Sequence, residues 1–426
     1  MPELPDRLPI STRGAIDAVV RPPGSKSITN RSLLVAALAE GESELRRPLE
    51  SDDTRVMSQC LKALGCQLTP GEEAWTVRGL GGRLRHPSEA LFTGNSGTTA
   101  RFLTAAAALA DGPVLIDGSP RMRERPIEDL ADALRQLGVK IELLGAQGCP
   151  PVRVQGGGLA GGPAVIDASR SSQYVSAVLM AAPYAQTDVE LSFREGVLVS
   201  KPYVELTLQL MGAFGAEAGW SADGGLRVAA GRPYAGRCFE IEPDASAAAY
   251  PFCAAAITGG RVRVEGFPAD SIQADLALLP ILEQMGCQVR HGLGYVEVSG
   301  PADGLHGVDV DMNALPDASM ALAVVALFAS GTTRIRNVGN LRIKETDRLA
   351  ALEAELRKLG ASARTTEDSI TIEGGQHRAA EIETYDDHRV AMSFALAGLR
   401  IPGVVIRDPA CVSKTWPDYF SVLERL

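Results

Sequence analysis

Six alanine-rich stretches recur along the chain, each apolar on nearly every face: "SLLVAALAEG", "RFLTAAAALADG", "QYVSAVLMAAPYA", "ASAAAYPFCAAAITGG", "ASMALAVVALFASG" and "RVAMSFALAGLRIPG". A helix without a polar stripe has no side to turn to water, so these predict helices lying inside their domains. A second helix follows in most copies and ends in Leu-x-x-[Leu/Met]-Gly, read as "LKALG", "LRQLG", "LQLMG", "LEQMG" and "LRKLG". Its glycines fall at positions 65, 138, 212, 286 and 360, spaced by 73, 74, 74 and 74 residues. Such regularity marks one unit copied, and six copies of about 71 residues span the 426. Each glycine is predicted to close its helix at positive φ, before a β-like run such as "VKIEL" or "CQVR". Strand-like pieces such as "VLIDGS", "VRVEGF" and "TRIRNVG" stand between the two helices. The unit is therefore β and α in alternation. Three copies around buried helices predict one domain and six predict two, with a break near "CFEIEPDAS" at about residue 240.

Composition narrows the chemistry. A hydrophobic fraction of 45% with 22% charged residues is that of a soluble globular chain. No apolar run reaches the ~18 residues of a membrane span, and "MPELPDRLPISTRG" lacks the features of a signal peptide, so a cytoplasmic protein is expected. The formal net charge of -10 argues against nucleic acid as partner, so any anion must be gripped by local clusters of Lys and Arg. Seven scattered cysteines without a C-x-x-C pair suggest neither a disulfide framework nor a zinc site. Cys66 and Cys287 each follow a repeat glycine and are expected to be buried structural residues.

The repeat shows what stands at the same place in every copy. "GSKSITNR", "TGNSGTTAR", "ASRSSQ", "EPDAS", "LPDAS" and "TYDDHR" precede the buried helices, and "SDDTR", "RMRERP", "SKPY", "RIKETDR" and "SKTWPDY" precede second helices. All combine helix-capping residues with charge. Helix N-termini present N–H groups and about half a positive charge, so several converging ends favour an anion. Lys26, Arg31, Arg101, Arg121, Lys344, Arg348, Arg389 and Lys414 add to that field. Plainer readings exist. Asp52 and Asp53 are read first as macrodipole caps. Arg121, Arg123 and Arg125 repel one another unless an anion shares them. Asp244 and Asp317 stand in one "DAS" frame, and a cap explains both equally well. His388 beside Arg389 favours a site role, while Glu345 and Arg348 could form an ordinary i,i+3 ion pair.

"PGSKSITNR", "GNSGTTARF", "PRMRERPI", "SSQY", "SKPY", "PDAS", "NLRIKETDRL", "TYDDHR" and "SKTWPDYF", in that order, resemble the 5-enolpyruvylshikimate-3-phosphate (EPSP) synthase family over nearly the whole chain. The resemblance implies an α/β fold of two similar domains, each of three βαβαββ units around buried helices, an inside-out α/β barrel type. It implies an N-terminal domain over 23–242 and a C-terminal domain over 243–426 completed by residues 1–22, with the site in the cleft they form. The implied activity is transfer of the enolpyruvyl group of phosphoenolpyruvate to the 5-hydroxyl of shikimate 3-phosphate, with release of phosphate, in aromatic amino acid biosynthesis. No metal or organic cofactor is implied, and a monomer is expected. By the same resemblance, Lys26, Ser27, Arg31, Ser171, Ser172, Gln173, Ser200, Asp317, Asn340 and Lys344 hold shikimate 3-phosphate. Lys26, Gly97, Arg121, Gln173, Arg348, Arg389 and Lys414 hold phosphoenolpyruvate, and Asn95, Thr98, Arg101, Tyr203 and His388 stand beside them. Asp317 is implied as base, Glu345 as acid, and Lys26 as support for the departing phosphate. An acid among Lys344, Arg348 and Arg389 is favoured as carboxylate, which opposes the proton it must give. Gly97 is implied to admit the herbicide glyphosate, though Phe102 stands where many relatives carry Pro or Leu. Three other readings stay open. A UDP-aminosugar enolpyruvyl transferase would carry a reactive Cys in "GSPRMRERP", which this chain lacks; an RNA 3'-phosphate cyclase would need a nucleotide site; a repeat scaffold would leave the basic residues idle.

Overall fold

The computed structural model describes residues 4–426, so the first three residues of the segment 1–22 lie outside the described residues. The chain divides into two compact units, each with its own apolar core. One, here the N-terminal unit, is Gly24–Ile241; the C-terminal unit joins residues 4–23 to Glu242–Leu426. The N-terminal unit carries α1 (Lys26–Leu38), α2 (Asp52–Ala63), α3 (Gly97–Ala106), α4 (Glu128–Gln136), α5 (Ser172–Ala181) and α6 (Lys201–Ala213). The C-terminal unit carries α7 (Ala245–Thr258), α8 (Leu278–Gln284), α9 (Ser319–Ala326), α10 (Arg348–Lys358), α11 (His388–Gly398) and α12 (Tyr419–Leu423).

The alanine-rich helices are the odd-numbered ones, and every residue of α3, α9 and α11 is buried. Alanine makes this possible, since small side chains let helices pack closely in a unit's interior at little entropic cost. Outside them, each copy forms a small sheet. Leu91–Phe92 pairs in parallel with Val114–Asp117, and Val152–Val154 and Ile141–Leu143 continue the sheet antiparallel, giving β-α3-β-α4-β-β. Gly162–Ala168, Val189–Leu198, Leu226–Val228 and Ala218–Trp220 repeat that order around α5 and α6. Asp309–Asp311, Thr332–Arg336, Ile370–Glu373 and Ser362–Thr365 repeat it around α9 and α10.

The remaining copies are completed by distant chain. Glu42–Arg46 takes its parallel edge partner from Cys238–Glu240, and Arg261–Glu265 takes its own from Asp17–Val20. In the last copy, Val405–Arg407 pairs in parallel with Glu381–Ile382 and antiparallel with Arg7–Pro9, where the others have a local strand. Borrowed strands cap edges that would otherwise present unpaired backbone groups.

Four of the five repeat glycines take positive φ: Gly65 (95°), Gly138 (87°), Gly286 (107°) and Gly360 (101°). Gly212 departs from the expectation. It lies inside α6, which runs to Ala213, and Gly215 (φ 96°) closes that helix instead. Cys66 and Cys287 are buried, which pushes their thiols up to about 11 and about 12, so neither is a thiolate at neutral pH. No helix among the described residues is long and apolar enough to cross a membrane.

Candidate active site

In the N-terminal unit the polar residues ahead of the helices are tied to one another. Ser25 caps α1, leaving Lys26 as its first residue. The Lys26 ammonium, mostly covered, stands 3.4 Å from Asp53 in the first turn of α2. Asp53 is thus more than the simple cap expected: it meets the macrodipole of its own helix and the cation at the start of the preceding one, α1. Asn30 Nδ2 donates to Thr98 Oγ1 at 2.9 Å, joining α1 to α3. Arg101 Nη1 donates to Gln173 Oε1 at 2.6 Å, joining α3 to α5. Ser171 caps α5, accepting from the Gln173 N–H, and Ser200 opens α6 in the left-handed region at φ 52°. These bonds gather the starts of four helices at one place in the unit.

Arg31 lies wholly buried. It donates to Thr207 Oγ1 (2.8 Å), the Ser27 carbonyl (3.0 Å), Ser176 Oγ (3.2 Å) and the Tyr203 carbonyl (3.4 Å), with its guanidinium over the Phe102 ring. Burial lowers its pKa to about 10, against a small opposing effect of Tyr203, so it stays charged. Phe102 therefore packs against the guanidinium that ties α1 to α5 and α6.

The three arginines of "RMRERP" turn to three different partners. Arg121 pairs with Glu124 at 2.8 Å, and Arg123 with Asp117. Arg125, 3% exposed, donates to the Asn95 carbonyl (3.1 Å) and Oδ1 (3.2 Å). A Cβ at Gly97 would stand 2.6 Å from Arg125 Nη2 and 3.1 Å from Arg101 Nη1. The guanidinium against Gly97 is thus that of Arg125, which stands outside the set that the resemblance implies for phosphoenolpyruvate. The available signal is its place directly before Pro126, three residues ahead of α4.

In the C-terminal unit a single side chain organises the cluster. Arg348, first residue of α10, is 1% exposed and faces three carboxylates. Nε and Nη2 reach Asp387 Oδ2 and Oδ1 at 2.8 and 3.1 Å, Nη1 reaches Asp317 Oδ1 at 2.8 Å, and Nη2 reaches Glu345 Oε2 at 2.8 Å. Burial would weaken its hold on the proton, but Asp387, Glu345 and Asp317 together reverse the direction and raise its pKa. Asp317 also meets Arg389 Nη2 at 3.0 Å and Lys344 Nζ at 3.6 Å. Burial alone would push the Asp317 carboxyl up, yet Arg389, Lys344 and Arg348 overcome it and hold the pKa far below the usual range.

The remaining members sit close by in the chain. Asn340 occupies the 3-10 turn Gly339–Ile343 that leads to Lys344, with its Oδ1 buried and accepting no hydrogen bond. His388 is the buried first residue of α11, and Asp387 caps that helix by accepting from the Arg389 N–H at 2.9 Å. Lys414 is buried at the end of the 3-10 helix Pro409–Lys414. It opposes the upward shift that burial imposes on Asp386. Asp387 stands outside the expected set, and its only signal in the sequence is a carboxylate directly ahead of an Arg-bearing helix. Glu345 does form the i,i+3 ion pair, as one arm of the larger node.

The arrangement can seat anions on Lys344, Arg348, Arg389 and Lys414 while keeping two carboxylates, Asp317 and Glu345, among them. Residues 10–423 match the family model of EPSP synthase (3-phosphoshikimate 1-carboxyvinyltransferase). The chain belongs to the EPSP synthase family. It is 47% identical over 408 residues to the 3-phosphoshikimate 1-carboxyvinyltransferase of Nostoc punctiforme, covering 95% of each chain. It is 48% identical over 403 residues to that of Edwardsiella ictaluri, covering 93% of each. The solved EPSP synthase of Acinetobacter baumannii superposes with a TM-score of 0.81 at 28% identity, covering 98% of both chains. The enolpyruvyl transferase NikO from Streptomyces tendae shares the fold, with a TM-score of 0.78 at 19% identity over 99% of this chain and 97% of that one.

Proposed function

We propose that this chain transfers the enolpyruvyl group of phosphoenolpyruvate to the 5-hydroxyl of shikimate 3-phosphate and releases inorganic phosphate. In net terms a bond forms from the 5-oxygen to C2 of phosphoenolpyruvate, the bond from C2 to the phosphate oxygen breaks, and the hydroxyl proton leaves with the phosphate. The methylene carbon gains a proton on addition and returns it on elimination. Both substrates are highly anionic, and the lysines and arginines at the helix starts supply matching charge.

The observation that carries this reading is the setting of Asp317, an ionised carboxylate touching Arg348, Arg389 and Lys344 at once. Held that way it is a weak base. Anions arriving on the same cations compete for them, loosen their hold and raise its basicity, so the base strengthens when substrate is bound. Asp317 takes the hydroxyl proton, Glu345 serves the methylene carbon, and Lys26 steadies the departing phosphate. Arg125 joins Lys344, Arg348, Arg389 and Lys414 in this reading as a further cation for phosphoenolpyruvate.

The test is phosphate release from phosphoenolpyruvate with shikimate 3-phosphate as acceptor, and with UDP-N-acetylglucosamine as control. Turnover with the first acceptor alone is expected. Turnover with the second, or with neither, defeats the reading.

A further inference from the structure

Glu355 is a buried carboxylate that the chemistry above does not use. It lies two turns along α10 from Arg348 and so on the same side of the helix. Oε1 accepts from the Tyr385 hydroxyl at 2.7 Å, Oε2 accepts from the Glu383 N–H at 3.2 Å, and the Lys358 ammonium stands 2.7 Å from Oε2. The segment it grips is an unusual one. Tyr385 and Asp386 take φ values of 56° and 53°, two consecutive non-glycine residues in the left-handed region. Such backbone persists only where its surroundings over-determine it. Directly after the turn come Asp387, which receives two bonds from Arg348, and Arg389, which reaches Asp317.

Helix α10 therefore holds the approach to α11 twice, through Arg348 to Asp387 and through Glu355 to Glu383 and Tyr385. We propose that Glu355 is a positioning residue: by pinning the left-handed turn at Tyr385–Asp386 it fixes where Asp387 and Arg389 stand, and so sets the grip on phosphoenolpyruvate. The proposal rests on the reaction assigned above. Lys358 neutralises the carboxylate, so the staple keeps its charge balance inside the unit. A small displacement of Arg389 is enough to matter, because binding of a compact trianion depends on the distance to each cation.

The experiment is steady-state kinetics with both substrates varied, together with thermal denaturation, for Glu355→Ala, Glu355→Gln and Tyr385→Phe. Glu355→Ala is expected to raise KM for phosphoenolpyruvate about tenfold and leave KM for shikimate 3-phosphate within about twofold. Tyr385→Phe, at a partly exposed ring that loses one hydrogen bond, raises the first KM about threefold. Glu355→Gln keeps one acceptor and recovers part of the loss. A lowered Tm with unchanged KM values, or an equal rise in both, would reduce Glu355 to a structural residue. If Glu355→Ala fails to fold, Tyr385→Phe decides: an unaltered KM for phosphoenolpyruvate overturns the proposal. An inactive wild type would instead sink the reaction, and this role with it.

Discussion

The frame Pro-Asp-Ala-Ser occurs twice at equivalent places in the repeat, and its two aspartates do different work. Asp244 is an N-cap: its carboxylate accepts from the Ala247 N–H at 2.9 Å, and its neighbourhood holds the Gln273 amide, which accepts from the Ala245 N–H. Asp317 sits in the 3-10 turn Pro316–Ala318 ahead of α9, and its carboxylate goes to Arg348, Arg389 and Lys344. The tetrapeptide is the same. What differs is the company: the chain after Asp317 places arginines at the first position of α10 and the second of α11, and they turn a cap into part of a charged node. Local sequence offers a carboxylate at a helix start, and cations from elsewhere decide whether it caps that helix or joins a charged node.

Removing the company is the harshest break. Arg348→Ala leaves Asp317, Glu345 and Asp387 facing one another without their shared cation. A loss of about 3–5 kcal/mol in stability is expected, with phosphate release abolished, measured by urea denaturation and turnover. Next comes the aspartate itself. Asp317→Asn keeps the shape but removes both the base and the charge that faces Arg348, Arg389 and Lys344, so kcat should fall by about 10²–10⁴ and Tm should fall with it at neutral pH. A near-native kcat would show that Asp317 is no more reactive than Asp244.

Gly97→Ala probes the matching cation in the N-terminal unit. The added Cβ would have to displace the Arg125 guanidinium 2.6 Å away. A loss of ~1–3 kcal/mol in phosphoenolpyruvate affinity follows, roughly ten- to hundredfold, with a larger loss for glyphosate; inhibition kinetics against phosphoenolpyruvate read both. Asp244→Ala is the control, and should cost only about 1 kcal/mol in stability with kcat within about twofold. The smallest effect concerns pH. The folded pKa of Asp317 lies below that of the unfolded chain, so the stability it confers is complete above about pH 4 and drains away as pH falls towards the folded value. Asp317→Asn should flatten that acid limb in denaturation curves taken at successive pH values, whereas Asp244→Ala should leave its shape alone.

Much of this could be read in the chain before any coordinates. The all-apolar helices announced their burial, because a helix's environment is written in its own 3.6-residue pattern. Four repeat glycines announced helix ends, because positive φ favours one residue type. Gly212 misled for the same local reason, since Ala213 and Phe214 carry α6 onward to Gly215. The three arginines of "RMRERP" were indistinguishable in sequence, because a long flexible side chain goes where its partner is. Asp117, Glu124 and Asn95 drew them apart.

By itself, then, the sequence determined the copied α/β unit, the buried helices, the charged helix starts and the family. All of these rest on periods and spacings carried within one stretch of chain. Only the tertiary structure decided that Arg7–Pro9 and Asp17–Val20 finish sheets begun hundreds of residues later, that Lys26 meets Asp53, that Arg125 lies against Gly97, and that Arg348 gathers three carboxylates. Each of these joins groups from separate elements. Such pairing depends on distances of a few ångströms, set when the separate elements of a unit pack against one another.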